Sequence, residues 1–539
     1  MNVAFDSWIP VVTLSGRRKL ISLAEVLTNG SDYADLAVRP HERVSLMRLF
    51  LCVAHASLNG PKDIREWREV PKKLPNAAEK YLSQWKDSLE LFHKKKPWLQ
   101  VAELNVLPRD KKDESKEEED WSRLSRLCFE RASGINTTLF DHLSNGGPPT
   151  QYTAEEIALN LLTFQNFFVA GGKASPRVWG KVKMEKPPNP KGGPCAGKSI
   201  LFTFIRGRNL EETIHLNLST HNDLKTLYGD LNNWLGQPLW EQPIKSPTDT
   251  KAIANATRTH LGRLVPQTRM LRINEDCSSV LMGPGLMYPK FQDDKDPFFP
   301  DQFATVVPSR NGDQTKLLSA RPGISLWRQL HSLVVRRKGS ANSSRGPLCL
   351  LNIPEDSDCD IIVNSMVTNP SPGKVAEILD FLESVYHIPS KLRSPQGTAM
   401  YEGEVRTSEE VARRLRWAIE EYRKTFDGGW EGRVKSAGPS KGELLSKLHS
   451  IATSHYWTTV EKNLSLLMRH VEALGTDAID PTRAEWRKML IAAGRESYEL
   501  ACGQESSRQI RAFAKGWQKL VLSETYLETI LNPSKEKSS

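Results

Sequence analysis

The chain holds 539 residues, 39% hydrophobic and 26% charged, with 74 Lys and Arg against 64 Asp and Glu for a net charge of +10. That apolar share excludes disorder over most of the length, and a chain of this size can bury several cores without covalent staples. No run of ~18–20 apolar residues occurs and the opening MNVAFDSWIPVV lacks the pattern of a secretory leader, so a soluble intracellular protein is expected.

The opening segment alternates through Phe5, Trp8, Pro10 and Val12, turns at Ser15-Gly16 and resumes at Lys19–Leu23, which predicts a short β-hairpin. Helical spacing follows. Val44, Met47, Leu51 and Ala54 share one face, and Ala78–His93 aligns Leu82, Trp85, Leu89 and Phe92. Residues 110–120, DKKDESKEEED, carry seven acids, three lysines and nothing apolar, the composition of a solvated loop. A further helix is predicted from Thr153 to about Phe168, with Ile157, Leu161, Phe164 and Phe168 on its apolar face, running into Val169-Ala170-Gly171-Gly172-Lys173. After the loop PPNPKGGP, Ser199–Ile205 and Thr213–Leu218 are rich in β-formers and are predicted as strands. Mixed, loop-rich character continues to about residue 365.

Beyond Gly373 the periodicity becomes helical. The stripes are Val375, Ile378, Leu382, Val385; Val411, Leu415, Ile419, Tyr422, Phe426; Val460, Leu464, Leu467, Val471, Leu474; and Ile510, Phe513, Trp517, Leu520. Breakers at Asp427-Gly428-Gly429, Gly475 and Gly503 separate them. An α+β fold is expected: a large, mixed, loop-rich N-terminal domain over residues 1–394, then a C-terminal four-helix bundle over 395–539.

The chemistry-bearing motifs are few. Seven cysteines, an odd number with no C-x-x-C, argue for reduced thiols, and the twelve histidines form no H-E-x-x-H, so no metal or cofactor is expected. Residues 192–199 read Gly-Gly-Pro-Cys-Ala-Gly-Lys-Ser, a literal phosphate-loop string. That chemistry requires a buried strand before the loop and a helix beginning at its Lys-Ser, so that backbone N–H groups converge on phosphate. Here a polar, proline-rich segment precedes and the strand-like SILFTFI follows, so a flexible glycine loop entering a core strand is the better reading. Asp141-His142 alone is insufficient for two-metal chemistry, and no other catalytic constellation stands out. A binding protein is expected, not an enzyme.

Four segments together resemble the CasA family, the large subunit of the type I-E CRISPR surveillance complex Cascade: FDSWIPV, Asn136-Thr137-Thr138-Leu139-Phe140-Asp141-His142, LLTFQNFFVAGG and FIRGRNLEETIHLNL. VPQTRMLRI, ISLWRQLHSL and the C-terminal helical pattern extend the resemblance over nearly the whole chain. It implies a cytoplasmic, prokaryotic, non-enzymatic subunit without cofactors. Such a subunit recognises the protospacer-adjacent motif (PAM) in duplex DNA, helps open the strands, stabilises the R-loop and recruits the helicase-nuclease. Its partners would be the other Cascade subunits, the guide RNA and the target DNA.

By position in the resemblance, Gly171 and Gly172 would lie against the minor groove, where the guanine amino group is the main discriminator, with Lys173 available to phosphate. A helix cap is the plain structural alternative for the glycines. The family's minor-groove lysine finger falls in MGPGLMYPKFQDDKDPFF, where Lys290 is the candidate over Lys295. Its glutamine-tipped wedge has no glutamine here. The corresponding tip is Asn369-Pro370-Ser371-Pro372-Gly373-Lys374, so either Asn369 or Lys374 takes that place, or a proline-stiffened loop parts the strands. The loop with Asn136, Leu139 and Phe140 would reach the guide RNA and neighbouring subunits, or else anchor on the local core. The competing classes are an NTPase using residues 192–199 and a basic helical nucleic-acid-binding scaffold unrelated to CRISPR.

Overall fold

The computed structural model describes residues 1–520 except 108–120, 131–150, 168–175, 185–195, 198, 230, 287, 289–300, 310–314, 340–342, 370–376 and 427–438. In the N-terminal hairpin, β1 (Ile9–Thr13) pairs antiparallel with β2 (Arg18–Ile21), Ile9 facing Ile21, and Gly16 turns the chain at φ +81°. The inward face of β1 is Ile9 and Val11, the opposite phase from the expected Pro10 and Val12, with Ile21 and the preceding Trp8 also buried, and β3 (Tyr33–Leu36) completes the sheet on the far side of β1. Helix α1 (Pro40–Leu58) is buried along nearly its whole length, polar residues included, which makes it the axis of this unit. Helix α2 (Ile64–Gln84) starts at Asp63, whose carboxylate accepts from the N–H groups of Arg65 and Glu66, and buries Trp67, Val70, Leu74, Ala78 and Leu82. Helix α3 (Ala154–Phe167) packs on α1 and buries nearly every residue from Ile157 onward.

Strand β4 (Phe202–Arg206) leads into helix α4 (Leu210–Asn217), and β4 forms the edge of a three-stranded sheet with β5 (Cys359–Asn369) in the centre and β6 (Glu377–Ile388) beyond it. The β4–β5 register is antiparallel, Ile362 facing Phe204 and Asn364 facing Phe202.

The chain divides into two compact units: Met1–Leu326 with Ser332–Pro354 and Cys359–His387, and Trp327–His331 with Glu355–Asp358 and Ile388–Ser539. The second unit is the helical bundle. Its helices among the described residues are α5 (Pro395–Phe426), α6 (Pro439–Lys462), α7 (Leu464–Glu472), α8 (Ile479–Ala501) and α9 (Ser507–Leu520). Only Asn463 separates α6 from α7, so with these two counted as one interrupted helix the described residues of the bundle supply four members. Helix α9 lies against α5 at Gly516, where any Cβ would sit 2.6 Å from the Ala418 carbonyl oxygen. A buried ion pair, Arg487 to Glu404 at 2.9 Å, joins α8 to α5.

Three expectations are corrected. Thr213–Asn217 is helical and Leu218 is its extended C-cap: Asn209 caps α4 by accepting from Glu212 N–H at 2.9 Å, and Glu212 in turn accepts from Arg208 N–H. The stripe beginning at Val375 is a strand from Glu377, because β5 supplies a hydrogen-bonding edge that outweighs the helical spacing. Ala78–His93 is not one helix. Helix α2 ends at Gln84, and a 3₁₀ turn over Lys86–Leu89 leaves Phe92 exposed. The predicted hairpin, the Thr153 helix and the C-terminal bundle are present, although Ile510 lies outside the buried face that Ala512, Gly516 and Leu520 form.

Candidate functional site

Residues Asn136, Leu139, Phe140, Gly171, Gly172, Lys173, Lys290 and Lys374 lie outside the described residues, as do Lys191, Lys198 and Lys295. The backbone of Asn369 ends β5, and its side chain is outside the description. The described flanks of these segments nevertheless meet at one place, the C-terminal end of α3.

Two consecutive polar residues, Gln165 and Asn166, interrupt the apolar run LLTFQNFF and are fully buried there. A buried amide is tolerated only when its donors and acceptor are matched. The Gln165 Nε2 donates to the carbonyls of Leu99 at 3.0 Å and Arg269 at 2.8 Å, while its Oε1 accepts from Arg269 N–H at 2.9 Å. Thr268 Oγ1 donates to the Gln165 carbonyl at 2.6 Å, and Tyr288 Oη donates to the neighbouring Gln267 carbonyl at 2.8 Å. The helix that precedes Gly171 and the segment that precedes Lys290 are thereby tied to the same strip of backbone, 267–269.

Asn166 makes the second junction. Its backbone carbonyl accepts from Ala196 N–H at 2.5 Å, between Lys191 and Lys198 in the sequence, while its side-chain Nδ2 donates to the Leu162 carbonyl of the same helix at 3.0 Å. On the other side of Lys198, Ser199 adopts φ +57°, and its Oγ accepts from Thr368 N–H at 2.9 Å and lies 3.3 Å from both Thr368 oxygens. Thr368 directly precedes Asn369. Ser199 then enters β4 after a bridge from Ile200 to Ser319, so a strand and not a helix follows the Gly-Lys-Ser string. Its hydroxyl is held by backbone, and the helix terminus that nucleotide phosphates require is missing from this position.

The beginning of the 131–150 segment is held nearby. Phe129 stacks on Phe164 of α3 at 5.8 Å and meets Phe167 edge-on at 6.5 Å. Glu130 is paired with Arg39, whose guanidinium also reaches Glu42 at 3.1 Å. Burial, aided by the adjacent Arg39 charge, holds the His41 imidazole neutral, with its pKa lowered to about 3, and the ring stacks on Phe381 of β6 at 4.3 Å. Arg43 bonds Glu383 of the same strand at 2.8 Å. These contacts dock β6 on α1.

Sequence reasoning located the segments but missed the residues that gather their bases: Gln165, Asn166, Thr268, Ser199 and Thr368. The available signal was Gln165, a polar side chain inside an apolar helix, whereas Asn166 makes its junction through its backbone carbonyl, which no side chain announces. Among the described residues no group of three or more His, Cys, Asp or Glu could hold a metal ion, and no helix is long and apolar enough to cross a membrane.

The described residues thus form a mixed α+β unit, in which the flanks of several segments are hydrogen-bonded around the end of one helix, and a second, helical unit. A family model for CRISPR-associated protein Cse1 matches residues 2–497, and the chain belongs to that family. CRISPR-associated protein CasA/Cse1 of Thermus thermophilus is 25% identical over 96% of both chains. The crystal structure of Thermus thermophilus CasA superposes with a TM-score of 0.69 at 21% identity, covering 96% of this chain and 98% of that one. Cse1 from Acidimicrobium ferrooxidans gives 0.70 at 19% identity, with 99% and 98% covered. A chain of a CRISPR RNA-guided surveillance complex gives 0.68 at 17% identity, with 96% and 99% covered.

Proposed function

We propose that this chain is the large subunit of a type I-E CRISPR RNA-guided surveillance complex, which recognises the PAM in double-stranded DNA, helps open the duplex and recruits the helicase-nuclease. The observation that carries the reading is the junction at Gln165 and Asn166, which ties the flanks of the 168–175, 185–198, 289–300 and 370–376 segments into one hydrogen-bonded frame. Each of those segments contains at least one lysine. Loops that rise from one rigid frame can engage the two backbones and the minor groove of a single duplex, lysines neutralising phosphate while glycine backbone approaches the base edges.

In this reading Gly171 and Gly172 face the groove floor, Lys173 and Lys290 meet the duplex, and Asn369 or Lys374 stands at the point of strand separation. Asn136, Leu139 and Phe140 contact the guide RNA and neighbouring Cascade subunits. The protein acts by binding and positioning and has no catalytic role or cofactor. The test is selection from a PAM library by the reconstituted complex with and without this subunit. Selection that is equally strong without it sinks the proposal.

A further inference from the structure

The imidazole of His41, near the start of α1, is fully buried among three phenylalanines, and each of these flanks a different segment of the proposed interface. Phe129 stands two residues before the 131–150 segment, Phe167 directly before 168–175, and Phe381 five residues after 370–376. The ring stacks on Phe381 at 4.3 Å and meets Phe129 and Phe167 edge-on at 6.0 and 6.2 Å. Rings at these separations bear directly on one another, so a shift of one flank against the others displaces the imidazole or opens a gap.

The ring acts by its shape. Its Nδ1 has no hydrogen-bond partner among the described residues, and Nε2 is 3.8 Å from the Glu130 carboxylate, beyond hydrogen-bonding distance. Charge is carried by the neighbours of His41 instead. Arg39 pairs with Glu130, and Arg43 pairs with Asp35 of β3 and with Glu383 of β6. The ion pairs hold two of the flanks to the N-terminal end of α1, while the imidazole between the rings sets how far the flanks stand apart. Strand β5, which leads into 370–376, is fixed separately through Thr368 and Ser199.

We propose that His41 is a positioning residue for strand opening: by filling the space between Phe129, Phe167 and Phe381, it fixes the distance from the 168–175 segment, which holds the duplex at the PAM, to the 370–376 segment, where the strands part. This role rests on the proposed function. A duplex gripped at one point and parted at another opens readily only while the two points keep their spacing, and a misplacement of about 1 Å costs of order a hundredfold where groups act together. Binding of the PAM itself depends on 168–175 and is less sensitive to that spacing.

The experiment uses the reconstituted complex, with full-length protein, guide RNA and a duplex carrying the PAM that the wild-type complex selects. A fluorescent adenine analogue beside the PAM reports opening. His41→Ala, which empties the space, is expected to slow opening about tenfold or more while affinity for the PAM duplex changes less than about threefold. A target already mismatched at the first positions restores the rate. His41→Leu, apolar and of similar volume, is expected to open the duplex within about threefold of the wild-type rate. Phe381→Ala removes the same stack from a half-buried position on β6, and it should reproduce the opening defect even where His41→Ala does not fold. Thermal denaturation of each variant verifies folding. Opening at the wild-type rate in Phe381→Ala or in folded His41→Ala overturns the proposal, as does a His41→Leu variant as slow as His41→Ala. Affinity and opening rate that fall in equal proportion also overturn it and leave His41 a purely structural residue. Selection and opening that persist when the subunit is omitted fail the proposed function itself, whatever the variants do.

Discussion

The Gln165 side chain grips the Arg269 peptide from both sides, donating to its carbonyl at 2.8 Å and accepting from its N–H at 2.9 Å. A side-chain amide used in this way replaces a strand partner: it satisfies a backbone unit that no sheet reaches and fixes where the helix end stands against it. Gln165→Leu leaves that N–H and two carbonyls buried without their partner. The cost is expected to be about 3 kcal/mol, the sum of partial desolvation penalties. Urea unfolding measures it, and native-state exchange at the Arg269 amide should accelerate. A change below about 0.5 kcal/mol would show that the grip contributes little.

Gly171 and Gly172 test recognition against attraction. Gly171→Asp or Gly172→Asp is expected to reduce binding of PAM-bearing duplex by the reconstituted complex at least tenfold, and binding of random duplex far less, because a Cβ and a carboxylate obstruct the groove floor. Thermal denaturation supplies the control, since a glycine serving only as a helix cap loses about 1 kcal/mol on substitution. A lowered melting temperature with intact PAM discrimination would assign the glycines a structural role.

The histidine core predicts an acid limit. Burial lowers the pKa of His41 and of His55 to about 3, with the charges of Arg39 and His221 contributing respectively, and burial lowers that of His260 as well. In the unfolded chain the same imidazoles titrate near 6.5, so below that pH the unfolded state takes up protons that the native state does not. The stability these groups contribute is complete above about pH 6.5 and declines as pH falls toward about 3. His41 and His55 together should remove about 3 kcal/mol between pH 7.5 and 5.5, at 1.4 kcal/mol for each tenfold shift. Urea unfolding at the two pH values checks this. His55→Gln should reduce the difference by about 1.4 kcal/mol, and stability that stays level over the interval would contradict neutral burial.

The bundle depends on a distant strap. Trp327 is fully buried in the helical unit, Tyr401 Oη donates to its carbonyl at 2.8 Å, and Arg328 covers the Trp457 ring at 4.2 Å while bonding Glu409 at 3.2 Å. Trp327→Ala is expected to destabilise this unit by about 3–5 kcal/mol, the usual cost of emptying a large aromatic site. A fragment of residues 395–539 lacks the strap and should melt well below the bundle of the intact protein. Equal melting of fragment and whole would assign Trp327 no part in bundle stability.

Sequence by itself determined the elements whose information is local. The β1–β2 hairpin followed from the short apolar segments on either side of Ser15-Gly16, though not the face that β1 buries, helix α3 from its unbroken apolar face, and the bundle from repeated three- and four-residue steps between glycine breakers. The capping residues Asn209 and Glu212 were equally local, and they would have identified α4 as a helix ahead of its β-forming side chains. Family membership was also readable from the order of short segments along the chain, since each carries the fold's buried pattern.

Tertiary structure decided what depends on a partner remote in sequence. Ile378 and Leu382 stand four apart, a spacing that fits one helix face and one strand face equally, and the pairing edge of β5 selects the strand. The junction of loop bases was invisible for the same reason. Gln165 and Arg269, and Ser199 and Thr368, are separated by 104 and 169 residues, and no local pattern specifies which buried backbone group an isolated polar side chain will satisfy. Trp327 likewise joins the bundle only because the hydrophobic gap beside Trp457 and the Tyr401 hydroxyl exist after the helices have packed.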